Sequence, residues 1–152
     1  MFHQREKNGK GKNYIVAKIF IDTNIFVYML DKHDKNKQKT ARKTVKNIVE
    51  NDMAVISTQV LQEFYNICTI KLHFIPIRVK GYVHNYNENL EVVQNSSEII
   101  ERGIDISIIS QISFWDALII AAAEYSKCSE ILTEDLSDGQ IINGIRIRNP
   151  FI

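Results

Sequence analysis

Residues 113–127, SFWDALIIAAAEYSK, are apolar almost all the way round a helix. A helix without a polar face has to be buried on several sides. The rest of the chain must therefore supply layers of structure around it. Between Phe114 and Tyr125 the only charges are Asp116 and Glu124. Asp116 falls in the first turn, three residues after Ser113, in a variant of the capping box. The cap accounts for only part of its placement. A carboxylate in the first turn of a buried helix can cap and still offer an oxygen to a metal.

The strands that surround such a helix are legible upstream and downstream. Ile19, Phe20 and Ile21 run into Asp22, Thr23 and Asn24. An apolar run closed by capping residues reads as a buried strand, here Tyr14–Asp22, feeding a short apolar helix or turn over Asn24–Leu30. Lys37–Asn51 carries Ala41, Val45, Ile48 and Val49 on one helical face. Met53–Ile56 reads as a second strand, and Ser57 or Thr58 as the cap of a helix to about Leu72. Pro76 opens a helix to about Asn87, and Leu90–Val93 is a third strand. Ser96 or Ser97 caps a helix through Ile99, Ile100, Ile104 and Ile108. Ile131 and Leu132 end a fourth strand, and Ile141–Ile147 is a last short one. Strands alternating with helices predict a parallel sheet covered on both faces.

The 152 residues suit one domain, with hydrophobic (45%) and charged (24%) content ordinary for a soluble globular protein. No apolar run approaches the length of a membrane span. The opening MFHQREKNGKGKN is polar and basic and lacks the apolar segment of a secretory signal. Residues 1–17 are expected to be a flexible basic tail and residues 18–152 the domain. Cys68 and Cys128 lie far apart in apolar contexts and read as buried thiols of a reducing compartment, hence a cytoplasmic protein. The four histidines lack ligand spacing, which argues against zinc. Residues 1–50 hold 12 Lys/Arg against 5 Asp/Glu, and residues 51–152 hold 7 against 13. A basic front and an acidic remainder suit a protein that meets a polyanion on one side and holds cations on another. Lys32–Lys46, with seven Lys/Arg, is the candidate phosphate-tracking face.

Four carboxylates stand at strand–helix junctions or on the helices that follow them. Asp22 can be a helix cap, or it can sit at the carboxyl end of a central strand, where open α/β sheets place their ligand crevice. Asp135 has the same strand-end position. Asp116 opens the buried helix. On the Thr58–Leu72 helix, Gln59, Gln62, Asn66 and Thr69 fall on a polar face, but Glu63 falls between Ile67 and Ile70, at the edge of the apolar face. An oxygen-only donor set suits Mg²⁺ or Mn²⁺. Such ions can activate water and stabilise the leaving oxygen of a phosphodiester. Crowded, partly buried carboxylates should also have raised pKa values.

IFIDTN, LQEFYN, SFWDALIIAAA and ILTEDL resemble, in order and over about Lys18–Ile152, the signature segments of the PIN-domain ribonucleases, in particular the VapC-type toxins of bacterial and archaeal toxin–antitoxin pairs. The resemblance implies a PIN-like α/β/α sandwich with a five-stranded, mainly parallel sheet. It also implies a Mg²⁺- or Mn²⁺-dependent endoribonuclease that leaves 5′-phosphate and 3′-hydroxyl ends, a homodimer, and a cognate antitoxin whose peptide lies near the acidic site. By position the family's four acids fall on Asp22, Glu63, Asp116 and Asp135, as catalytic residues and metal ligands. Asp138 can replace or assist Asp135. Asn24 matches the polar residue beside the first acid, and Thr23 and Ser113 are supporting residues. The alternative is a non-catalytic module that binds RNA or a partner, although four retained acids argue against it. An aspartyl-phosphate enzyme would want a second acid at position 24, where Asn24 stands.

Overall fold

The computed structural model of the protein describes residues 15–152. The expected basic tail and the start of the first strand at Tyr14 thus fall largely outside the described residues. β1 spans Lys18–Ile21 and ends where Asp22 caps α1, Thr23–Leu30. α2 covers Lys35–Asn51, two residues longer than expected at its start because the Asp34 side chain accepts from the Lys37 amide and caps the first turn. β2 (Met53–Ser57), α3 (Thr58–Ile70), α4 (Pro76–Asn89), β3 (Glu91–Val93), α5 (Ser97–Ser110) and α6 (Phe114–Tyr125) follow. β4 (Glu130–Leu132), β5 (Ile141–Ile142) and β6 (Ile145–Arg148) complete the order.

The six strands form one sheet in the order β3-β2-β1-β4-β6-β5. Five of them are mutually parallel, as expected; β5 adds an antiparallel edge strand paired to β6. The single last strand expected over Ile141–Ile147 is instead a hairpin. Asn143 and Gly144 both have positive φ, 49° and 78°. An Asn-Gly pair in that region makes the two-residue turn whose twist suits a hairpin.

The first two crossovers run outward from β1 to β2 and β3, and the third returns past β1 to β4. Right-handed connections then place α1–α4 on one face of the sheet and α5–α6 on the other. The chain reverses direction between β1 and β4, so a crevice opens there at the carboxyl edge. α6 has Ala117 through Ala123 buried without interruption, as its composition demands. Phe20, Ile21, Ile131 and Leu132 fill the centre of the sheet at full burial. Among the described residues no single helix is long and apolar enough to cross a membrane. Cys68 and Cys128 are buried free thiols.

α5 reaches α6 by way of Gly103: a Cβ there would stand 3.3 Å from the Cα and Cδ1 of Leu118. Gly81, in α4, has nothing within 4 Å of the corresponding position. Gly103→Val should therefore lower stability by about 1–3 kcal/mol through overpacking. Gly81→Ala should raise it by about 0.5–1 kcal/mol through helix propensity alone. Thermal unfolding of the two variants checks both signs.

Candidate functional site

Asp22 begins the site. β1 delivers it to the carboxyl edge, where its amide donates to the Leu132 carbonyl at 3.0 Å. Only 6% of the residue is exposed. Its Oδ1 accepts from the Thr23 amide (2.7 Å), which makes it the α1 cap. Its Oδ2 accepts from the Thr133 hydroxyl (2.8 Å), just past β4. Thr133 Oγ1 also accepts from the Asp135 amide (3.1 Å), which fixes the loop carrying the next acid. Asn24 Nδ2 then donates to Asp135 Oδ2 at 3.2 Å.

A second line of hydrogen bonds leads from Asp22 to the other two acids. Thr23 Oγ1 donates to Glu63 Oε2 at 2.7 Å. Gln59 Nε2 donates to Glu63 Oε1 at 2.8 Å and also to the Trp115 carbonyl at 3.2 Å. The first turns of α1, α3 and α6 are thereby tied together. Asp116, one residue on, follows the expected cap with a variation: its amide donates to Ser113 Oγ (3.1 Å), and that hydroxyl donates to Asp116 Oδ2 (2.8 Å).

Burial pushes the Asp22 carboxyl up to about 7, and the nearby Asp135 and Glu63 charges add to the rise against the two hydrogen bonds it accepts. Asp135 is raised as well, by burial first and then by Asp116, Glu134 and Glu63, with the Asn24 bond opposing. The expected upward shift is therefore present at Asp22 and Asp135. Among the described residues no lysine or arginine forms an ion pair with any of the four. Asp138 faces elsewhere, its Oδ1 accepting from the Asn149 amide at 2.8 Å.

The oxygen-only donors and the unneutralised negative charge fit a hard divalent cation. The present rotamers do not close on one: among the described residues no three His, Cys, Asp or Glu side chains are placed to hold a metal ion. Each acid accepts from a neutral donor, and Asp116 and Asp135 do so through Oδ2 alone.

Three partners went unread in the sequence. Gln59, assigned to a polar face, is only 4% exposed. Its spacing to Glu63, one helical turn, was the available signal. Thr133 stood directly after the β4 apolar run. Glu134 is bound by the Tyr28 hydroxyl at 2.5 Å and Lys37 Nζ at 2.8 Å, across 106 and 97 residues, a separation with no local signature. Lys37 also lies over the Tyr28 and Phe151 rings. It is thus withdrawn from the exposed basic face, and Arg42 directs its Nε to the Met29 carbonyl.

A parallel sheet with a carboxylate-lined crevice at its switch point defines the class, a doubly wound α/β protein with an acidic centre. The PIN domain sequence model matches residues 19–137, and the chain belongs to that family. Solved structures share the fold at low identity. VapC20 of Mycobacterium tuberculosis, a sarcin–ricin-loop-cleaving toxin, is 16% identical with a TM-score of 0.62, covering 74% of this chain and 86% of that one. A toxin–antitoxin complex from Klebsiella pneumoniae is 20% identical with a TM-score of 0.66, covering 87% and 97%. VapBC2 from Rickettsia felis, bound to a promoter DNA fragment, is 18% identical with a TM-score of 0.63, covering 87% and 98%. Comparison with curated protein sequences finds no match.

The raised Asp22 carboxyl makes stability depend on pH. With a folded pKa of about 7 against an unfolded 3.8, the folded chain binds the extra proton between these values. Asp22's favourable contribution is complete below pH 4 and is lost as pH rises through 7. In a chelator, wild type and Asp22→Asn should melt alike at pH 4 and diverge by pH 8, the variant being more stable by on the order of 4 kcal/mol. Parallel melting curves across that range would show that Asp22 ionises normally.

Proposed function

We propose that this chain is a divalent-metal-dependent endoribonuclease that hydrolyses RNA phosphodiester bonds, and that it is the toxin of a type II toxin–antitoxin pair. The observation that carries the enzymatic reading is the gathering of Asp22, Glu63, Asp116 and Asp135 from separate elements at the sheet's switch point, with Asp22 and Asp135 raised and, among the described residues, no lysine or arginine paired to any of the four. PIN membership supplies the class of chemistry. The toxin–antitoxin complexes among proteins of the same fold supply the biological reading and an antitoxin as partner.

Asp22, Asp116 and Asp135 would hold Mg²⁺ or Mn²⁺. When bound, such an ion supplies Lewis acidity and a nucleophile at neutral pH. The chain's own residues set the stage for that chemistry. Asp22 is held through both oxygens, and burial raises its pKa so that an approaching positive charge would favour its ionised form. Glu63 is likewise held through both oxygens, by Thr23 and Gln59. Asn24 steers Asp135. Asp135 is the fourth acid and Asp138 is a brace for the chain's end.

With Mn²⁺, purified protein should cut single-stranded RNA to 5′-phosphate and 3′-hydroxyl products, and EDTA should stop it. Asp22→Asn, Glu63→Gln, Asp116→Asn and Asp135→Asn should each cost about 100-fold or more in rate while melting as folded proteins. Asp138→Asn should retain most of the activity. RNA bound but left uncut by wild type in Mn²⁺ would establish the non-catalytic module instead. Co-expression with the adjacent small reading frame should yield an inactive heteromeric complex.

A further inference from the structure

Trp115 is the chain's one tryptophan. It is 62% exposed although it stands directly before Asp116. The Phe114 ring packs against it at 5.1 Å and 60°, and its carbonyl is held by buried Gln59. The indole is therefore mounted on a fixed base at the rim of the acidic crevice, with its surface open.

The surroundings restrict what can rest there. No lysine or arginine occurs between Arg102 and Lys127, nor anywhere in Thr58–Ile70, the α3 segment that carries Glu63. A polyanion on this side of the crevice meets Glu63 and Asp116 without any countercharge from α3 or α6. Lysine or arginine contacts from α3 and α6 cannot hold it in place. Stacking of a base on an aromatic ring needs no charge and tolerates any base, because every base has a π-face. Trp115 and Asp116 are consecutive in the first turn of α6 and project from it about 100° apart, so a strand that runs from the ring toward Asp116 has its next phosphodiester within reach of that carboxylate.

We propose that Trp115 is a stacking platform for one unpaired nucleobase of the RNA substrate and seats the adjoining phosphodiester against the carboxylates. The proposal rests on the ribonuclease reading for the identity of the ligand. It also makes the site selective for unpaired strands, since a base inside a duplex offers no free face.

Trp115 emission is a probe of this one site. An unstructured RNA decamer titrated in EDTA should quench it saturably, and the same sequence as a duplex should not. By anisotropy of the labelled decamer, Trp115→Ala should bind roughly tenfold more weakly and Trp115→Phe only slightly more weakly. All three proteins should share one salt slope, because no phosphate contact is lost. An abasic site at one position of the decamer should make wild type and Trp115→Ala bind equally. Absence of quenching where anisotropy shows wild type saturated, or equal affinities of wild type and Trp115→Ala for the intact decamer, overturns the platform. So does a Trp115→Ala protein that binds RNA normally but sediments as a smaller species, which would assign the ring to a contact between two copies. Quenching without cleavage in Mn²⁺ would refute the nuclease reading and leave the platform standing; cleavage without quenching would do the reverse.

Discussion

A carboxylate buried, among the described residues, without a paired lysine or arginine is the constraint around which this molecule is arranged. Asp22 sits at the end of the central strand, almost wholly out of water, with two neutral donors for company. Removing an ionised group from water is costly, and neutral hydrogen bonds recover only part of that cost. The chain tolerates the position because each donor comes from a rigid junction: the α1 start and the end of β4. Thr23 of the first junction then holds Glu63 of α3, and Thr133 of the second holds the Asp135 amide. What would be a defect in a core is here a poised charge, stored by a scaffold that is otherwise densely apolar.

That scaffold is what makes the storage possible. Reversal of the chain between β1 and β4 leaves two strand ends side by side with no connection crossing above them. α6 closes the opposite face with seven consecutive buried residues, and α5 can follow it only because Gly103 admits the Leu118 backbone. The tight seat of α6 matters for the crevice because its first turn carries both Trp115 and Asp116. A shift of α6 would move the Trp115 carbonyl, then Gln59, then Glu63.

Most of this was legible in the sequence where a residue's role depends on its near neighbours. The IFID and ILTED runs announced strand ends, the apolar run after Ser113 announced a buried helix, and the four acids were placed by those local signals. The six-stranded sheet differs from the expected five because Asn143-Gly144 was absorbed into a strand, although the pair is itself a hairpin signal. Gln59 falls on a polar face by periodicity, which describes one helix, whereas its burial comes with α6, whose Trp115 carbonyl accepts from it. The Lys37–Glu134 pair spans 97 residues, and only the assembled fold brings its members together. Long-range partners of this kind leave no mark on composition or spacing.

The hydrogen-bonded line from Thr133 through Asp22, Thr23, Glu63 and Gln59 to the Trp115 carbonyl also has a consequence for how the crevice carries charge. Asp22 responds to Asp135 and Glu63, and Asp135 to Asp116 and Glu63. Positive charge that neutralises one of these neighbours therefore favours the ionised forms of Asp22 and Asp135. The effect of a cation on the crevice extends past the carboxylate it touches.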